Sequence, residues 1–223
     1  HVTGVQTCAL PIFTKFLLEL GVLLDCILPM PCILCKKPPR PICEACSNKP
    51  NIRIKRSQIS GVAGYSFSSY DSEISVILNA IKENNLTSLV KPLVGKLASE
   101  WPAEFRDTHL VPIPSSFANR RKRGFSHNSL LIKEFVKLVP ELHSSETLFS
   151  ASKRLDQAGL DAKQRAINMR DAFKVGTKVQ PSRKYVLFDD IVTTGATMSQ
   201  AIAAFRAAGI EPAGYAVLAR SGA

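Results

Sequence analysis

Apolar residues follow a helical spacing in the stretch "DSEISVILNAIKENN". Four of them recur three or four positions apart, and Asp71 stands where a helix-capping side chain belongs. The pattern predicts an amphipathic helix whose buried face carries Ile74, Ile77, Leu78 and Ile81. We also expect helices over residues 13–25, 86–101, 130–139 and 195–208.

Four other stretches are typical of strands: "GVAGYSFSSY", "HLVPIP", "KYVLFDD" and "AGYAVLAR". In "KYVLFDD" the apolar residues are continuous, which indicates a strand buried on both faces of a parallel sheet. Strands that alternate with helices predict a doubly wound α/β domain, with a parallel sheet flanked by helices.

The chain has 223 residues and a formal net charge of +11. This length is enough to bury the core of one main domain and to add a small appendage. The charge favours an anionic partner, either a phosphorylated small molecule or the backbone of a nucleic acid. Charge alone does not choose between the two.

The most apolar stretch, residues 13–29, contains Lys15, Glu19 and Asp25. Because a membrane helix needs about 20 apolar residues, we expect no membrane span. No basic segment precedes the stretch, so it is not typical of a secretory signal either, and we expect a cytoplasmic protein. Residues 1–12, "HVTGVQTCALPI", resemble a translated cloning or adapter sequence, and we treat them as a non-native leader.

Four cysteines have the spacing C-x2-C-x7-C-x2-C, and they are Cys32, Cys35, Cys43 and Cys46. Two such pairs suit the four corners of a tetrahedral zinc ion, and four thiolates leave no open position for catalysis. We therefore predict a structural zinc site. The alternative is four reduced cysteines in a loop. Cys26 fits a buried thiol better than a fifth ligand.

The segment "FDDIVTTGAT" combines two adjacent acids with a bare, hydroxyl-rich loop at the end of a predicted strand. Such strand ends are where open α/β sheets bind ligands. Asp189 and Asp190 can accept hydrogen bonds from vicinal hydroxyls, directly or through a Mg²⁺ shell. The loop and the following helix N-terminus suit a phosphate, with Thr193, Thr194, Gly195, Ala196 and Thr197 as its ligands. The alternative is a buried strand that ends in a solvated acidic turn.

A 5-phosphorylated ribose presents both features, and "YVLFDDIVTTGAT" resembles the phosphoribosyl-diphosphate (PRPP) motif of type I phosphoribosyltransferases. Further blocks narrow the resemblance to the ComF family of competence-associated proteins. They are the paired cysteines, "VPIP" followed by "RRKRGF", the segment 154–173 with Gln157, Arg165, Asn168 and Phe173, and the PRPP motif through "VLAR". The resemblance covers about residues 25–220.

The resemblance implies a type I phosphoribosyltransferase fold with a small N-terminal zinc knuckle, and binding of PRPP with Mg²⁺. Asp189 and Asp190 would hold the ribose 2- and 3-hydroxyls, and Thr193 to Thr197 the 5-phosphate. It also implies an association with DNA uptake and with a helicase partner. One departure is that Ser126 and His127 stand where the family usually has Asn-Gln, which puts inherited acceptor specificity in question.

In such an enzyme, pyrophosphate leaves from C1 of the ribose and its charge must be neutralised. Four basic residues after the strand "HLVPIP" suit this role: Arg120, Arg121, Lys122 and Arg123. By family analogy, "VPIPSS" would form a backbone cradle for the same group. The alternative for the basic run is a solvated turn.

Two functions from different classes fit the sequence. The first is a phosphoribosyltransferase whose acceptor is unknown. The second is a non-catalytic, DNA-handling competence factor that keeps PRPP binding as a sensor or relic. Basic residues around the knuckle suit single-stranded DNA, and they are Lys36, Lys37, Arg40, Arg53, Lys55 and Arg56. We expect the knuckle unit over residues 13–57 and the phosphoribosyltransferase-like domain over 58–223.

Overall fold

A computed structural model describes residues 30–37, 41–70, 72–114, 126–150, 172–177 and 179–222. It contains eight strands: β1 (Lys55–Ile59), β2 (Val62–Ser69), β3 (Thr108–Pro112), β4 (Leu142–Ser144), β5 (Leu148–Ser150), β6 (Phe173–Val175), β7 (Tyr185–Val192) and β8 (Gly214–Arg220). Its α-helices are α1 (Glu44–Ser47), α2 (Ser72–Glu83), α3 (Val90–Ala98), α4 (His127–Leu138) and α5 (Ala196–Ala207). Short 3₁₀ turns lie at Thr87–Leu89 and Ala103–Phe105.

Six strands form one sheet in the order β1-β2-β8-β7-β3-β4. All neighbours are parallel except β1, which runs antiparallel to β2 at one edge. The opposite edge is the three-residue strand β4. Strands β5 and β6 pair separately as an antiparallel two-stranded sheet. The parallel arrangement brings the carboxyl ends of β3, β7 and β8 to one edge of the main sheet.

Strand β7 is buried on both faces, as its apolar run predicts. Tyr185 and Leu187 belong to a core that also includes Ile202 and Phe205 of helix α5. On the other side, Phe188 contacts Phe135 of helix α4, with ring centroids 5.6 Å apart. Helices therefore cover both faces of the sheet, and each fully buried side chain of this size stabilises the fold by about 1.5–3 kcal/mol.

A glycine in β2 allows an aromatic side chain of β8 to pass over β2 and reach β1. A Cβ at Gly64 would lie 2.4 Å from the ring of Tyr215 in the neighbouring strand β8. Without that atom, the Tyr215 hydroxyl comes within 2.6 Å of Ser57 Oγ in β1. The close approach of backbone and ring explains why this position in the strand needs glycine.

Most of the predicted helices and strands of the sheet domain, the part of the chain from Asn48 onward, are present, but several begin or end at other residues than expected. The face of Ile74, Ile77, Leu78 and Ile81 is buried in α2. The helix expected over residues 86–101 is shorter, since a 3₁₀ turn precedes α3. Helix α4 begins earlier than expected because Ser126 caps it, with Oγ accepting a hydrogen bond from Ser129 N at 3.3 Å. The helix expected over 13–25 and the cap at Asp71 lie outside the described residues.

The chain divides into two compact units, one up to Ser47 and one from Asn48 onward. The sequence placed the division after residue 57, which would cut through β1. That strand belongs with the sheet because every one of its residues pairs with β2. Within the described ranges, no helix is long and apolar enough to cross a membrane.

Candidate functional site

The two acids of the "DDIVTTGAT" segment lie near the carboxyl end of β7, inside the strand as the predicted strand "KYVLFDD" has them, and the strand continues to Val192. Asp189 is half-buried, whereas Asp190 is only 5% exposed. The alternative of a solvated acidic turn is therefore wrong for Asp190. A carboxylate with so little contact with water needs partners that stabilise its charge.

Two side chains from other elements contact the carboxylate of Asp190. Lys82, in the last turn of α2, forms an ion pair with Asp190 Oδ2. His127 Nε2, in the first turn of α4, lies 3.0 Å from the same oxygen. Burial opposes ionisation of Asp190, but the hydrogen bond from His127 and the charge of Lys82 outweigh it and hold its pKa well below the usual range.

Asp189 has a different environment, although it is the next residue. Its Oδ1 accepts hydrogen bonds from Asn128 Nδ2 at 2.9 Å and from the backbone N–H of Asp190 at 3.0 Å. Burial, followed by repulsion from the charge of Asp190, raises the pKa of Asp189 to about 8. The two carboxyl groups are thus unequal, with one firmly ionised and the other able to keep a proton near neutral pH.

Asn128 joins this site to the neighbouring strand. Its Nδ2 also donates to the backbone carbonyl of Ile113, just after β3, at 3.0 Å. The side chain is 1% exposed, and its Oδ1 has no hydrogen-bond partner among the described residues. A buried carbonyl oxygen without a donor costs free energy unless a ligand or water supplies one.

The loop after β7 turns into helix α5 through a glycine. Gly195 adopts a left-handed conformation, with φ of 80°, at the N-cap of helix α5. A Cβ at this position would be strained, and it would lie 3.2 Å from Ile59. Thr193, Thr194, Ala196 and Thr197 are exposed around this glycine. The first N–H groups of a helix have no backbone acceptor within it and favour an anion, although that of Ala196 donates to Thr194 Oγ1 at 3.4 Å.

Three residues of this site were not assigned a role from the sequence: Lys82, His127 and Asn128. His127 was noticed only as a departure from the family pattern. The Ser126 cap before an apolar run could have placed both His127 and Asn128 at a helix start, next to the expected ligand. Lys82 gave no signal, since a lysine near the end of an amphipathic helix normally faces water.

Other predicted site residues fall outside the described ranges. The pyrophosphate candidates Arg120, Arg121, Lys122 and Arg123 all do, as do Gln157, Arg165 and Asn168. So do Cys26, Arg40, and the last two residues of "VPIPSS".

The four cysteines of the predicted zinc site come together as expected. The sulfur atoms of Cys32, Cys35, Cys43 and Cys46 all lie within 4.8 Å of one another, and none is in a disulfide. Cys35 Sγ and Cys43 Sγ are 3.7 Å apart. A tetrahedral ion with Zn–S bonds of about 2.3 Å would separate its ligands by roughly 3.8 Å. The donor set and spacing therefore fit zinc.

The environment of the knuckle affects two of these thiols in opposite directions. Burial alone would raise the pKa of Cys32, but backbone N–H groups of Leu34, Cys35 and Cys43 lower it to about 6. Burial and the neighbouring thiols raise the pKa of Cys46 to about 12. A thiol such as Cys46 keeps its proton until a metal displaces it, so metal binding and proton release are linked here.

The carboxylates of Asp189 and Asp190 do not fit direct binding of Mg²⁺. The ion needs several oxygen ligands in an octahedral arrangement. Asp190 Oδ2 already contacts the cationic group of Lys82, and Asp190 Oδ1 accepts a hydrogen bond from the backbone N–H of Ile191 at 2.7 Å. A divalent ion bound to Asp190 would have to displace the ammonium group of Lys82, because the two positive charges would repel each other.

No family model matches the chain, but several curated proteins do. It is 26% identical over 104 residues to Competence protein F of Haemophilus influenzae, covering 46% of this chain and 45% of that protein. It is also 26% identical over 141 residues to DNA utilization protein YhgH of Salmonella typhi, covering 60% and 62%. The matches span about half to three-fifths of the relatives' length. They confirm the resemblance to the ComF family.

Two solved structures are also similar, each at 12% identity over 61% of this chain. One is a glutamic acid mutant at an invariant aspartic acid of the HPRTs, with a TM-score of 0.37 and 66% of that chain covered. The other is hypoxanthine phosphoribosyl transferase of Trypanosoma cruzi, with a TM-score of 0.36 and 64% covered. The predicted fold class, a mostly parallel sheet flanked by helices with a separate cysteine knuckle, is the one observed.

Proposed function

From its kinship with Competence protein F and YhgH, we propose that the chain is a phosphoribosyltransferase-like protein that binds PRPP at the carboxyl end of β7. The observation that carries the proposal is the order of groups there. Asp189 and Asp190 are followed at once by a hydroxyl-rich loop, a left-handed glycine and the N-terminus of α5. A 5-phosphorylated pentose has both the hydroxyls and the phosphate that these groups can bind.

In this proposal the half-buried Asp189 is the first contact for a ribose hydroxyl, since Asp190 is already engaged. The orphaned Oδ1 of Asn128 would receive a hydrogen bond from a hydroxyl of the same ligand. The 5-phosphate would lie against Thr193 to Thr197. Mg²⁺ would arrive with the pyrophosphate of PRPP, because the carboxylates do not offer it a site.

Transfer, if this site carries it out, would occur at C1 of the ribose. A nucleophilic nitrogen or oxygen forms a bond to C1 while the bond from C1 to the pyrophosphate oxygen breaks, and pyrophosphate leaves with the electron pair. We assign the binding of pyrophosphate to Arg120, Arg121, Lys122 and Arg123, and stabilisation of the positive charge that develops on the ring to the acid pair. The acceptor is not specified by this site.

Calorimetry with PRPP and Mg²⁺ tests the proposal. Asp189→Asn keeps the oxygen that accepts from Asn128 but replaces the other carboxyl oxygen with an amide nitrogen, which cannot accept a hydrogen bond from a ribose hydroxyl, and we expect it to weaken PRPP binding by about tenfold or more. Asp107→Asn, the same change at an exposed position, should bind as the wild type does. Absence of PRPP binding by the wild-type protein would refute the proposal.

The contacts of Asp190 also favour the second candidate, a non-catalytic DNA-handling factor that retains PRPP binding. The positive charge of Lys82 beside Asp190 reduces the negative potential available to a developing cation at C1. Exposed basic residues suit a nucleic-acid backbone, and five of the six predicted from the sequence are described and exposed: Lys36, Lys37, Arg53, Lys55 and Arg56. In this role a helicase of the competence machinery is the proposed protein partner, and the cytoplasm the proposed compartment.

Two measurements separate the candidates. Pyrophosphate release from PRPP across a panel of bases and amines, abolished in Asp189→Asn and Asp190→Asn, would support the transferase. Binding of PRPP without release, together with binding to single-stranded DNA that weakens steeply with salt, would support the DNA-handling factor. The slope of log K against log salt would be about −0.7 for each phosphate contacted.

A further inference from the structure

Two adjacent carboxylates at the end of a strand repel each other, and such a pair needs a cation, a proton or both. Here the compensating charge comes from within the chain. Lys82 is 17% exposed and the Asp190 side chain 7%, so water screens their ion pair only weakly. His127 Nε2 reaches the same oxygen from α4, and its side chain is also 7% exposed.

The position of Lys82 is fixed by the helix that carries it. Leu78, one turn earlier, and Ile81, directly before it, are each 1% exposed in the core. These apolar anchors hold the last turn of α2 near the end of β7. The lysine is therefore built into the site and does not simply sample it from the surface.

We propose that Lys82 takes the place of a divalent cation beside the acid pair, so that a 5-phosphorylated pentose without pyrophosphate binds this site in the absence of Mg²⁺. The inference rests on the proposed function and deepens it, because it names sugar phosphates beyond PRPP as ligands. Ribose 5-phosphate offers the hydroxyls and the phosphate that the site addresses, and it lacks the pyrophosphate that carries Mg²⁺. Lys82 acts through Asp190 and is a positioning residue.

The test is calorimetry of the full chain with ribose 5-phosphate, in buffer freed of Mg²⁺ by resin so that zinc is not removed by a soluble chelator. We expect the wild-type protein to bind equally well with and without Mg²⁺. Lys82→Met keeps the length of the side chain and removes its charge. It should bind about tenfold more weakly without Mg²⁺ and recover when Mg²⁺ is added.

Two further variants make the result specific. Lys82→Arg keeps the charge and should bind ribose 5-phosphate without Mg²⁺. If the lysine had only a structural role, binding without Mg²⁺ would not depend on keeping a positive charge at this position. Lys133→Met, the same change at an exposed position of α4, should have no effect. The Mg²⁺ dependence of the wild-type protein decides the question even if Lys82→Met does not fold.

The outcomes distinguish this inference from the proposed function. Binding of ribose 5-phosphate by the wild-type protein only when Mg²⁺ is present would overturn the inference and leave PRPP binding intact. Equal binding by Lys82→Met and wild type in Mg²⁺-free buffer would overturn it as well. Failure to bind either PRPP or ribose 5-phosphate under any condition would overturn both.

Discussion

At the scale of single residues, the site depends on an unequal division of charge between neighbours. Asp190 is held ionised by Lys82 and His127, while Asp189 is held by amide groups that carry no charge. A motif of two acids therefore does not mean two equivalent ligands. The difference between them comes from side chains that lie far away in the sequence.

This inequality predicts a pH dependence of stability. The pKa of Asp189 is raised from 3.8 to about 8 on folding, so the folded state binds this proton more tightly than the unfolded state does. Its contribution to the free energy of unfolding is therefore present at low pH and is lost as pH rises toward 8. Asp189→Asn lacks the titration, and its stability relative to wild type should improve by about 1 kcal/mol or more between pH 6 and pH 9.

Urea unfolding followed by Trp101 fluorescence measures this effect. Trp101 is the chain's one tryptophan, and it is packed in the sheet domain between Phe67 and Phe135, with centroids 5.5 and 5.0 Å away. Glu100→Gln, an acid-to-amide change at an exposed position, is the control. A stability difference between Asp189→Asn and wild type that stays constant with pH would contradict the assignment.

At the scale of elements, the sheet is held together by close approaches as well as by apolar burial. The clearest is the crossing of Tyr215 over β2 to Ser57, which depends on the missing side chain of Gly64. The other is the left-handed Gly195, which lets β7 pass directly into α5. Gly195 lies at the carboxyl end of β7, where the candidate site is, whereas Gly64 lies near the start of β2.

Substitution of glycine by alanine should have opposite effects on stability at Gly64 and at Gly95. Gly64→Ala forces a methyl group into the Tyr215 ring and should destabilise the sheet domain by about 1–3 kcal/mol. Gly95→Ala, in helix α3 with no atom within 4 Å of the new carbon, should stabilise it by about 0.5–1 kcal/mol. Thermal unfolding of the two variants checks this, and a neutral Gly64→Ala would show that the ring is not constrained by the strand.

At the scale of the whole molecule, the chain combines two units with different sources of stability. The sheet domain has an extensive apolar core, whereas the described part of the knuckle buries chiefly Cys32 and Cys46. A segment with so little core depends on its metal, which contributes roughly 10 kcal/mol or more in short zinc domains. We assign the folding of the knuckle to zinc and that of the sheet to burial.

Removal of zinc tests this assignment. Metal analysis of freshly purified, reduced protein should give one zinc per chain. A chelator should release the zinc and make the segment up to Ser47 sensitive to protease. The urea unfolding transition followed by Trp101 fluorescence should persist, because the sheet domain has its own core. Cys46→Ser should lower the zinc content, whereas the adjacent change Ser47→Ala should not. Reduced protein without zinc would refute the site.

Much of this architecture follows from sequence because it depends on local patterns. The apolar run of β7, the face of α2 and the cysteine spacing each specify their own structure. What the sequence did not predict depends on distant partners: β1 and β4 pair at the sheet edges, and Lys82 reaches Asp190 of strand β7 from helix α2. A strand of three to five residues or a single lysine carries no periodic signal, so its partner becomes visible only in three dimensions.

The two edges of the main sheet have a consequence for how copies of the chain behave at high concentration. Strand β4 offers only three residues, and β1 opens with the exposed cations Lys55 and Arg56. A further strand from another molecule would gain few ladder bonds at one border and meet repulsion at the other. The fold thus resists edge-to-edge aggregation, a form of protection that requires neither metal nor ligand.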